Sequence, residues 1–347
     1  MTSEIQERDR PSGETASVEV RRPVRIAHLS DPHVYRLFAW PWQFAGKRLF
    51  GWLNLVRKRR HVFRAQAFAS ALARAYELEV DWIVVTGDLT QTALGTEFRA
   101  AARILAAAGT GSSDPDAAVD QRTGGSIPTV VIPGNHDRYT QGAVWTRRFE
   151  RYLREVGGVQ SFPSRIDLSP TARLFALDPN RPSIVANGTL PARQLSWLRA
   201  ELADAWADGV LPVVASHYPV AIPPGVGDSK SHRLTNRDEM RAAMGAGGPA
   251  LLLHGHVHRP WVYPDPTYGS LLTIDAGACG FCGPSAPLGS GLLTLTLTPM
   301  TDVSSGSSAG LACWGNARVD HHVETSAGHW SVTTLHDEAV RGAPAPA

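Results

Sequence analysis

The chain has 347 residues, enough for one large domain or two small ones, and its 43% hydrophobic and 19% charged residues are typical of a soluble globular protein. The 34 basic and 32 acidic side chains give a net charge of only +2, so the overall charge does not indicate nucleic-acid binding. Three cysteines in a chain of this length exclude a disulfide framework and favour a reducing, cytoplasmic compartment.

Short apolar segments alternate with longer amphipathic ones after a polar N-terminal region without a signal-peptide core. We predict a disordered tail over residues 1–22, a main domain over 23–298, and a C-terminal extension over 299–347 that could add a strand. The predicted strands are Val24–Ser30, Trp82–Gly87, Thr129–Ile132, Arg173–Leu177, Pro212–Ser216, Ala250–Leu253, Leu271–Ile274 and Leu292–Thr298. The predicted helices are Val62–Glu79, Thr96–Ala108 with Thr96 as N-cap, Trp145–Val156, Pro191–Ala207 and Asn236–Met244.

This alternation of strands and helices predicts a layered α/β protein. The later strands are spaced more closely, which favours antiparallel pairing among them. Residues 109–126 and 302–310 read as surface loops. No run of 18 apolar residues occurs, so a membrane-spanning helix is not expected.

Side chains that can bind metal follow five of the predicted strands directly. In chain order they are Asp31 and His33, Asp88, Asn135 with His136, His217, and His256 with His258. Because ligands of layered α/β proteins gather at the carboxyl ends of the strands, we expect these side chains to meet at one edge of the sheet.

The chemistry of this set indicates a pair of metal ions. Imidazole, carboxylate and amide oxygen are mixed ligands that suit Mn, Fe, Zn or Co. Seven such groups, leaving His136 aside, are too many for one tetrahedral ion and suit two ions that share a carboxylate. Two adjacent ions can hold both the attacking and the leaving oxygen of a displacement at phosphorus. Glycines precede Asp88, Asn135 and His256, where they permit close approach of the backbone.

The same residues resemble the scattered motifs of the calcineurin-like metallophosphoesterase superfamily. The five motifs occur in order as Asp31-Pro-His33, Gly87-Asp88, Gly134-Asn135-His136-Asp137, the lone His217, and Gly255-His256-Val257-His258. The resemblance spans roughly Ile26 to Gly277. It implies a four-layer α/β/β/α sandwich, in which two mixed sheets are flanked by helices, and a hydrolase that acts on phosphoester bonds.

The resemblance also implies a role for each residue. Asp31, His33 and His258 would hold the first metal ion, and Asn135, His217 and His256 the second. Asp88 would bridge the two ions, and a metal-bridging hydroxide would be the nucleophile. His136 would contact the phosphate and protonate the leaving oxygen as a general acid.

The segment 34–60, between the first two motifs, is longer than a simple connection needs. It contains three tryptophans, no acidic residue and seven basic ones, namely Arg36, Lys47, Arg48, Arg57, Lys58, Arg59 and Arg60. Three interpretations remain open: a capping helix that joins the core, a lid over the substrate, and peripheral contact of 44–60 with the inner membrane surface.

These features lead us to expect a phosphodiester or a pyrophosphate, with an apolar part, in preference to a monoester. One alternative is a cyclic-nucleotide phosphodiesterase, although such enzymes often show His-His-Pro where this chain has Ser216-His217-Tyr218-Pro219. A second is a catalytically silent scaffold of the same fold, against which stands the presence of all eight site residues. No specific nucleic-acid partner is predicted. Cys279 and Cys282 form a CxxC without a second ligand pair, which favours an ordinary loop.

Overall fold

The computed structural model describes residues 22–36, 62–108, 127–183, 185–227, 229–282, 291–300 and 313–341. The strands in these ranges are β1 Val24–Leu29, β2 Trp82–Val85, β3 Thr129–Val131, β4 Ser164–Ser169, β5 Ala172–Ala176, β6 Leu211–Ala215, β7 Ala250–His254, β8 Pro260–Pro264, β9 Leu271–Ala276, β10 Gly291–Pro299, β11 Cys313–Ser326 and β12 His329–Arg341. The helices are α1 Ala65–Glu77, α2 Gly95–Ala108, α3 Gln141–Trp145, α4 Arg148–Leu153, α5 Ala192–Ala207 and α6 Arg237–Gly245, with a 3₁₀ turn over Arg154–Val156.

The strands form two six-stranded mixed sheets. The first has the order β12-β11-β10-β1-β2-β3, in which β1, β2 and β3 run parallel and β10, β11 and β12 are antiparallel. The second has the order β4-β5-β6-β7-β9-β8, in which β5, β6, β7 and β9 run parallel and the two edge strands are antiparallel. In each sheet, the carboxyl ends of the parallel strands therefore lie along one edge.

Three hydrophobic clusters hold the layers together. The helices α1 and α2 pack on the outer face of the first sheet, where Phe68 and Phe98 are fully buried. Alternate residues such as Ile26 face the second sheet and form the layer between the sheets. On the outer face of the second sheet, α5 and α6 bury Leu198 and Met240. The result is the predicted four-layer α/β/β/α sandwich, and its central strands are apolar on both faces because both faces are covered.

Several predicted elements differ from the structure. The predicted helix Trp145–Val156 begins later than expected, at Arg148, because Arg147 has a positive φ of 46° and separates this helix from Gln141–Trp145. Thr96 is not an N-cap, since α2 already begins at Gly95. The expected antiparallel pairing of the later strands fails for β7 and β9, which run parallel because β8 provides the return.

The chain after Pro299 continues the first sheet. β11 pairs with β10, and β12 pairs with β11 as the outermost strand. The Trp314 indole anchors this part of the chain by donating a hydrogen bond to the Thr171 carbonyl at 3.0 Å. Residues 1–21 of the predicted N-terminal tail, the loops 109–126 and 302–310, and residues 37–60 of the basic segment 34–60 lie outside the described residues.

Candidate metal centre

The eight predicted site residues lie in the loops that leave the carboxyl ends of β1, β2, β3, β6 and β7. The structure brings all eight together, although their positions in the chain extend from 31 to 258. Asp31, His33, Asp88 and His217 are at most 2% exposed. Such buried polar groups need partners, and these side chains find most of them in one another.

One group of ligand atoms consists of Asp31, His33 and His258. The two Nε2 atoms of His33 and His258 are 3.1 Å apart. Asp31 Oδ1 lies 3.0 Å from His258 Nε2 and 3.5 Å from His33 Nε2. These three ligand atoms all lie within 4.8 Å of one another, so they can bind one metal ion.

A second group consists of Asn135, His217 and His256. Asn135 Oδ1 lies 3.2 Å from His217 Nε2 and 3.1 Å from His256 Nδ1, and these two nitrogens are 3.3 Å apart. The other nitrogen of each ring faces a carbonyl: His217 Nδ1 donates to Thr86 O at 2.9 Å, and His256 Nε2 to His232 O at 2.8 Å. Because a carbonyl only accepts, the other nitrogen of each ring is the one that faces the partner ring and the amide oxygen, and it offers a lone pair there when the ring is neutral. Three acceptors that meet in this way fit a cation.

Asp88 lies between the two groups. Its Oδ2 is 3.4 Å from His217 Nε2 and 3.8 Å from His33 Nε2. Its Oδ1 accepts a hydrogen bond from the His136 backbone N–H at 2.7 Å, which fixes the orientation of the carboxylate. One carboxylate oxygen therefore faces a histidine of each group, as a carboxylate shared by two ions would.

The charges of the cluster favour a cation. Burial raises the pKa of Asp31 and of Asp88, but the neighbouring imidazoles outweigh it and hold both pKa values well below the usual range. For His217 burial lowers the pKa, but the Asp88 carboxylate outweighs this effect and raises the pKa to about 10. Burial and the nearby His217 charge lower the pKa of His256 to about 3. A proton on His217 thus supplies positive charge that a metal ion would otherwise provide.

Five of these residues have a left-handed backbone. The φ angles are 53° at Asp31, 45° at His33, 53° at Asp88, 75° at His256 and 61° at His258. Non-glycine residues rarely adopt this region, and such strain persists only where surrounding contacts impose it. Its concentration at one cluster indicates a site held in a fixed geometry.

Two glycines are required for the loops to approach each other. A Cβ at Gly134 would overlap the backbone nitrogen and Oδ1 of Asp88. A Cβ at Gly255 would overlap Ser30 Oγ and Asp31 Oδ2. This agrees with the interpretation of these glycines as positions of close backbone approach.

His136 lies beside the first group. Its Nδ1 donates a hydrogen bond to the Gln91 carbonyl at 2.7 Å, its ring centroid is 4.9 Å from that of His33, and it stacks on Tyr139 at 5.5 Å. Ligand atoms of His33, Asp88 and His136 also lie within 4.8 Å of one another. The geometry therefore permits a ligand role for His136 besides the predicted role as an acid.

Sequence reasoning missed residues that position the loops. The Asp137 carboxylate accepts hydrogen bonds from the backbone N–H groups of Leu89, Thr90 and Gly134 and from the Thr90 hydroxyl, at 2.9 to 3.1 Å. It joins the loop after β2 to the loop after β3. The Gly134-Asn135-His136-Asp137 motif contains this residue, and the motif was the signal that could have identified it.

Arg138 was missed as well. Its guanidinium donates to Glu150 at 2.8 and 3.2 Å and to Asp178 at 3.0 Å. Asp178 Oδ1 in turn accepts from Asn180 Nδ2, which also donates to Pro133 O at 2.7 Å. This network supports the loop that carries Asn135.

Two histidines and two cysteines near the site do not belong to either group of ligands. His28, in β1, contacts the Thr86 hydroxyl at 3.0 Å, and His254, the last residue of β7, lies 3.3 Å from Asp275 Oδ2. Cys279 and Cys282 are free thiols in a loop, and the Cys279 N–H donates to Ser30 O at 2.9 Å.

A comparison with protein-family models decides the identity of the fold and site. The model for calcineurin-like phosphoesterases matches residues 24–260, which include every predicted site residue. The chain belongs to the calcineurin-like phosphoesterase family. This phosphoesterase is therefore a phosphoester hydrolase, and its clustered ligand groups support the binding of divalent metal.

Similar proteins of known name include two phosphodiesterases. The chain is 27% identical over 241 residues to a probable cyclic nucleotide phosphodiesterase of a Synechococcus strain, covering 68% of this chain and 75% of that protein. It is 29% identical over 196 residues to the 3',5'-cyclic adenosine monophosphate phosphodiesterase CpdA of Escherichia coli, covering 56% of this chain and 60% of that enzyme.

Among solved structures, a dimetal phosphatase of Danio rerio superposes with a TM-score of 0.55 at 12% identity, covering 90% of this chain and 99% of that one. At this identity the likeness concerns the fold alone. Among the helices of the described ranges, none is both long and apolar enough to cross a membrane.

Proposed function

We propose that this phosphoesterase hydrolyses a phosphodiester with two metal ions. Asp31, His33 and His258 would hold one ion, and Asn135, His217 and His256 the other. Asp88 would bridge them. The observation that carries the proposal is the convergence of the two groups on the two sides of Asp88 Oδ2.

Bound in these positions, the two ions would polarise the phosphoryl oxygens and activate a water molecule. The protein's own residues position them. The carbonyls of Thr86 and His232 fix which nitrogen of His217 and His256 offers its lone pair. The His136 backbone N–H holds the Asp88 carboxylate, so a single short segment aligns both the shared ligand and the proposed acid.

His136 would protonate the oxygen of the departing group. Its Nδ1–H is held by the Gln91 carbonyl, so Nε2 is the nitrogen that can carry the transferable proton. This orientation assigns the two ring nitrogens different tasks, one that fixes the ring and one that acts on the substrate.

The first experiment tests the metal centre. The metal-stripped enzyme is reconstituted with Mn²⁺, Fe²⁺, Zn²⁺ or Co²⁺ and assayed on bis(p-nitrophenyl) phosphate and on p-nitrophenyl phosphate. Asp88→Asn should lower kcat/KM by about a hundredfold or more, since the metals contribute several kcal/mol to the transition state. Asp337→Asn is the matched control, because that carboxylate is 45% exposed on β12. If the metal-free enzyme or Asp88→Asn is as active as the reconstituted wild type, the proposal fails. A preference for the monoester would refute the diester assignment.

The second experiment tests His136. His136→Gln should reduce the hydrolysis of esters with poor alkoxide leaving groups far more than that of p-nitrophenyl esters, because p-nitrophenolate departs without protonation. An equal loss on both substrates would indicate a metal ligand instead of an acid, a result that the geometry also permits.

Cyclic nucleotides are the second candidate substrate. They are supported by the names of the two relatives, both cyclic nucleotide phosphodiesterases at 27% and 29% identity. The reconstituted enzyme should then convert 3',5'-cyclic AMP to AMP, measured by chromatography, with kcat/KM at least equal to that on bis(p-nitrophenyl) phosphate. A much lower value would favour an acyclic diester.

A further inference from the structure

A cavity of about 480 Å³ adjoins the second group of ligands. Its volume is that of a small-molecule site. The residues that line it include Pro219, Ile222 and Val257, which are apolar, and Ser229, His232 and His256. Among the described lining residues there is no carboxylate and three side chains are apolar, so the cavity favours an organic group with apolar surface.

The His256 imidazole forms the boundary between this cavity and the proposed metal position. Its Nδ1 lies 3.3 Å from His217 Nε2 inside the cluster, while the ring itself lines the cavity. A group in the cavity is thus separated from the metal position by about the width of one ring. A phosphate on the metals and an organic substituent in the cavity could belong to one molecule.

The cavity and the proposed acid adjoin different groups of ligands. His136 contacts the first group through His33, whereas the cavity adjoins His256 of the second group. The departing oxygen must lie near the acid. The cavity therefore suits the other substituent, the one that stays on phosphorus.

Building on the proposed diester hydrolysis, we infer that the cavity between Pro219, Ile222 and Val257 receives the retained organic group of the phosphodiester and selects a larger apolar group, such as an aromatic ring, over a small alkyl one. The Ile222 side chain, which is partly exposed and lines the cavity, is the specificity-determining residue. The His232 carbonyl connects the cavity to the centre, because it also orients His256.

The test varies the retained group and keeps the leaving group constant. Phenyl p-nitrophenyl phosphate and methyl p-nitrophenyl phosphate release the same p-nitrophenolate, so a difference between them reports the retained group. The wild type should prefer the phenyl ester, mainly through KM. Ile222→Phe, which fills the cavity, should reduce kcat/KM on the phenyl ester about tenfold and leave the methyl ester within about twofold. Ile222→Ala, which removes apolar contact without adding volume, should raise KM on the phenyl ester and guards against misfolding of the larger variant.

Val332→Ala is the control, since Val332 is 51% exposed on β12 and does not line the cavity. Equal losses on the two esters in both Ile222 variants, or no loss on either, would overturn the inference. The proposed function fails separately, if the wild type hydrolyses these esters without metal or if Asp88→Asn retains full activity. If activity requires metal and Asp88 but is the same in the wild type and the Ile222 variants, only the assignment of the cavity is refuted.

Discussion

Replacing Arg138 by Met should lower the free energy of unfolding far more than replacing an arginine of an exposed ion pair. The Arg138 side chain is 7% exposed and lies between Glu150 and Asp178, which are 10% and 12% exposed. Removing the guanidinium leaves two nearly buried carboxylates without their cation. Breaking such a buried pair costs about 3–5 kcal/mol. In a domain of this size that corresponds to a decrease in Tm of about 10 °C.

The effect should depend on pH in a defined direction. Burial raises the pKa of Glu150, but Arg138 outweighs it and lowers the pKa below its ordinary value of 4.5. The stability that Glu150 contributes through Arg138 is therefore fully present above pH 4.5 and is lost as the pH falls through the lowered pKa. The difference between wild type and Arg138→Met should be largest at neutral pH and shrink below pH 4.

Urea unfolding of the metal-stripped proteins measures this difference without a contribution from metal affinity. Arg165→Met is the matched control, because Arg165 pairs with Asp167 at 43% and 62% exposure and should cost less than about 1 kcal/mol. If Arg138→Met costs no more than Arg165→Met, or if its cost does not change between pH 7 and pH 3.5, the reasoning is wrong.

Three further changes have expected outcomes. Gly134→Ala should lower kcat/KM at least tenfold at unchanged circular dichroism, because its Cβ displaces the loop after β2, whereas Gly142→Ala, with open space around it, should leave activity unchanged. Asp265→Asn should lower the free energy of unfolding by about 1–3 kcal/mol at pH 7 and by little below pH 3, since Arg241 and two backbone N–H groups hold its pKa below the usual range against burial. Tyr218→Phe should leave the unfolding free energy unchanged or raise it by about 1 kcal/mol, because the buried hydroxyl has no hydrogen-bond partner among the described residues; a loss above about 1 kcal/mol would contradict this.

The central strands were predictable because they are covered on both faces. Ile83–Val85 and Leu251–Leu253 are continuous apolar segments that end at a polar residue, and the structure ends β2 at Val85 and β7 at His254. The edge strands were not predictable in this way. β8 begins and ends with proline, and β4 has only one buried residue, so neither shows the apolar run that identified the others.

In the site, too, some features were predictable from the sequence and others were not. Its eight side chains were predictable because each is a metal-ligand type placed at a strand end, and the structure brings them together. The contacts that orient them were not predictable. The carbonyls of Thr86 and His232 act through the backbone, which carries no sequence signal, and the partners of Arg138 lie 12 and 40 residues further along the chain.

The five site residues with a left-handed backbone show how the folded chain fixes the positions of the metal ligands without help from a metal ion. Each such residue costs about 1–3 kcal/mol, so five of them are expensive for a protein whose net stability is about 5–15 kcal/mol. Hydrogen bonds from the backbone N–H groups hold three of them: Asp31 N–H donates to Gly87 O and His33 N–H to Asp88 O, both at 3.0 Å, and His256 N–H donates to Asp31 Oδ2 at 2.9 Å. These bonds join the loop after β1 to those after β2 and β7. The strain at these three ligands is thus balanced by the contacts that place them against their neighbours, and the metal centre and the junction of the two sheets are stabilised by the same bonds.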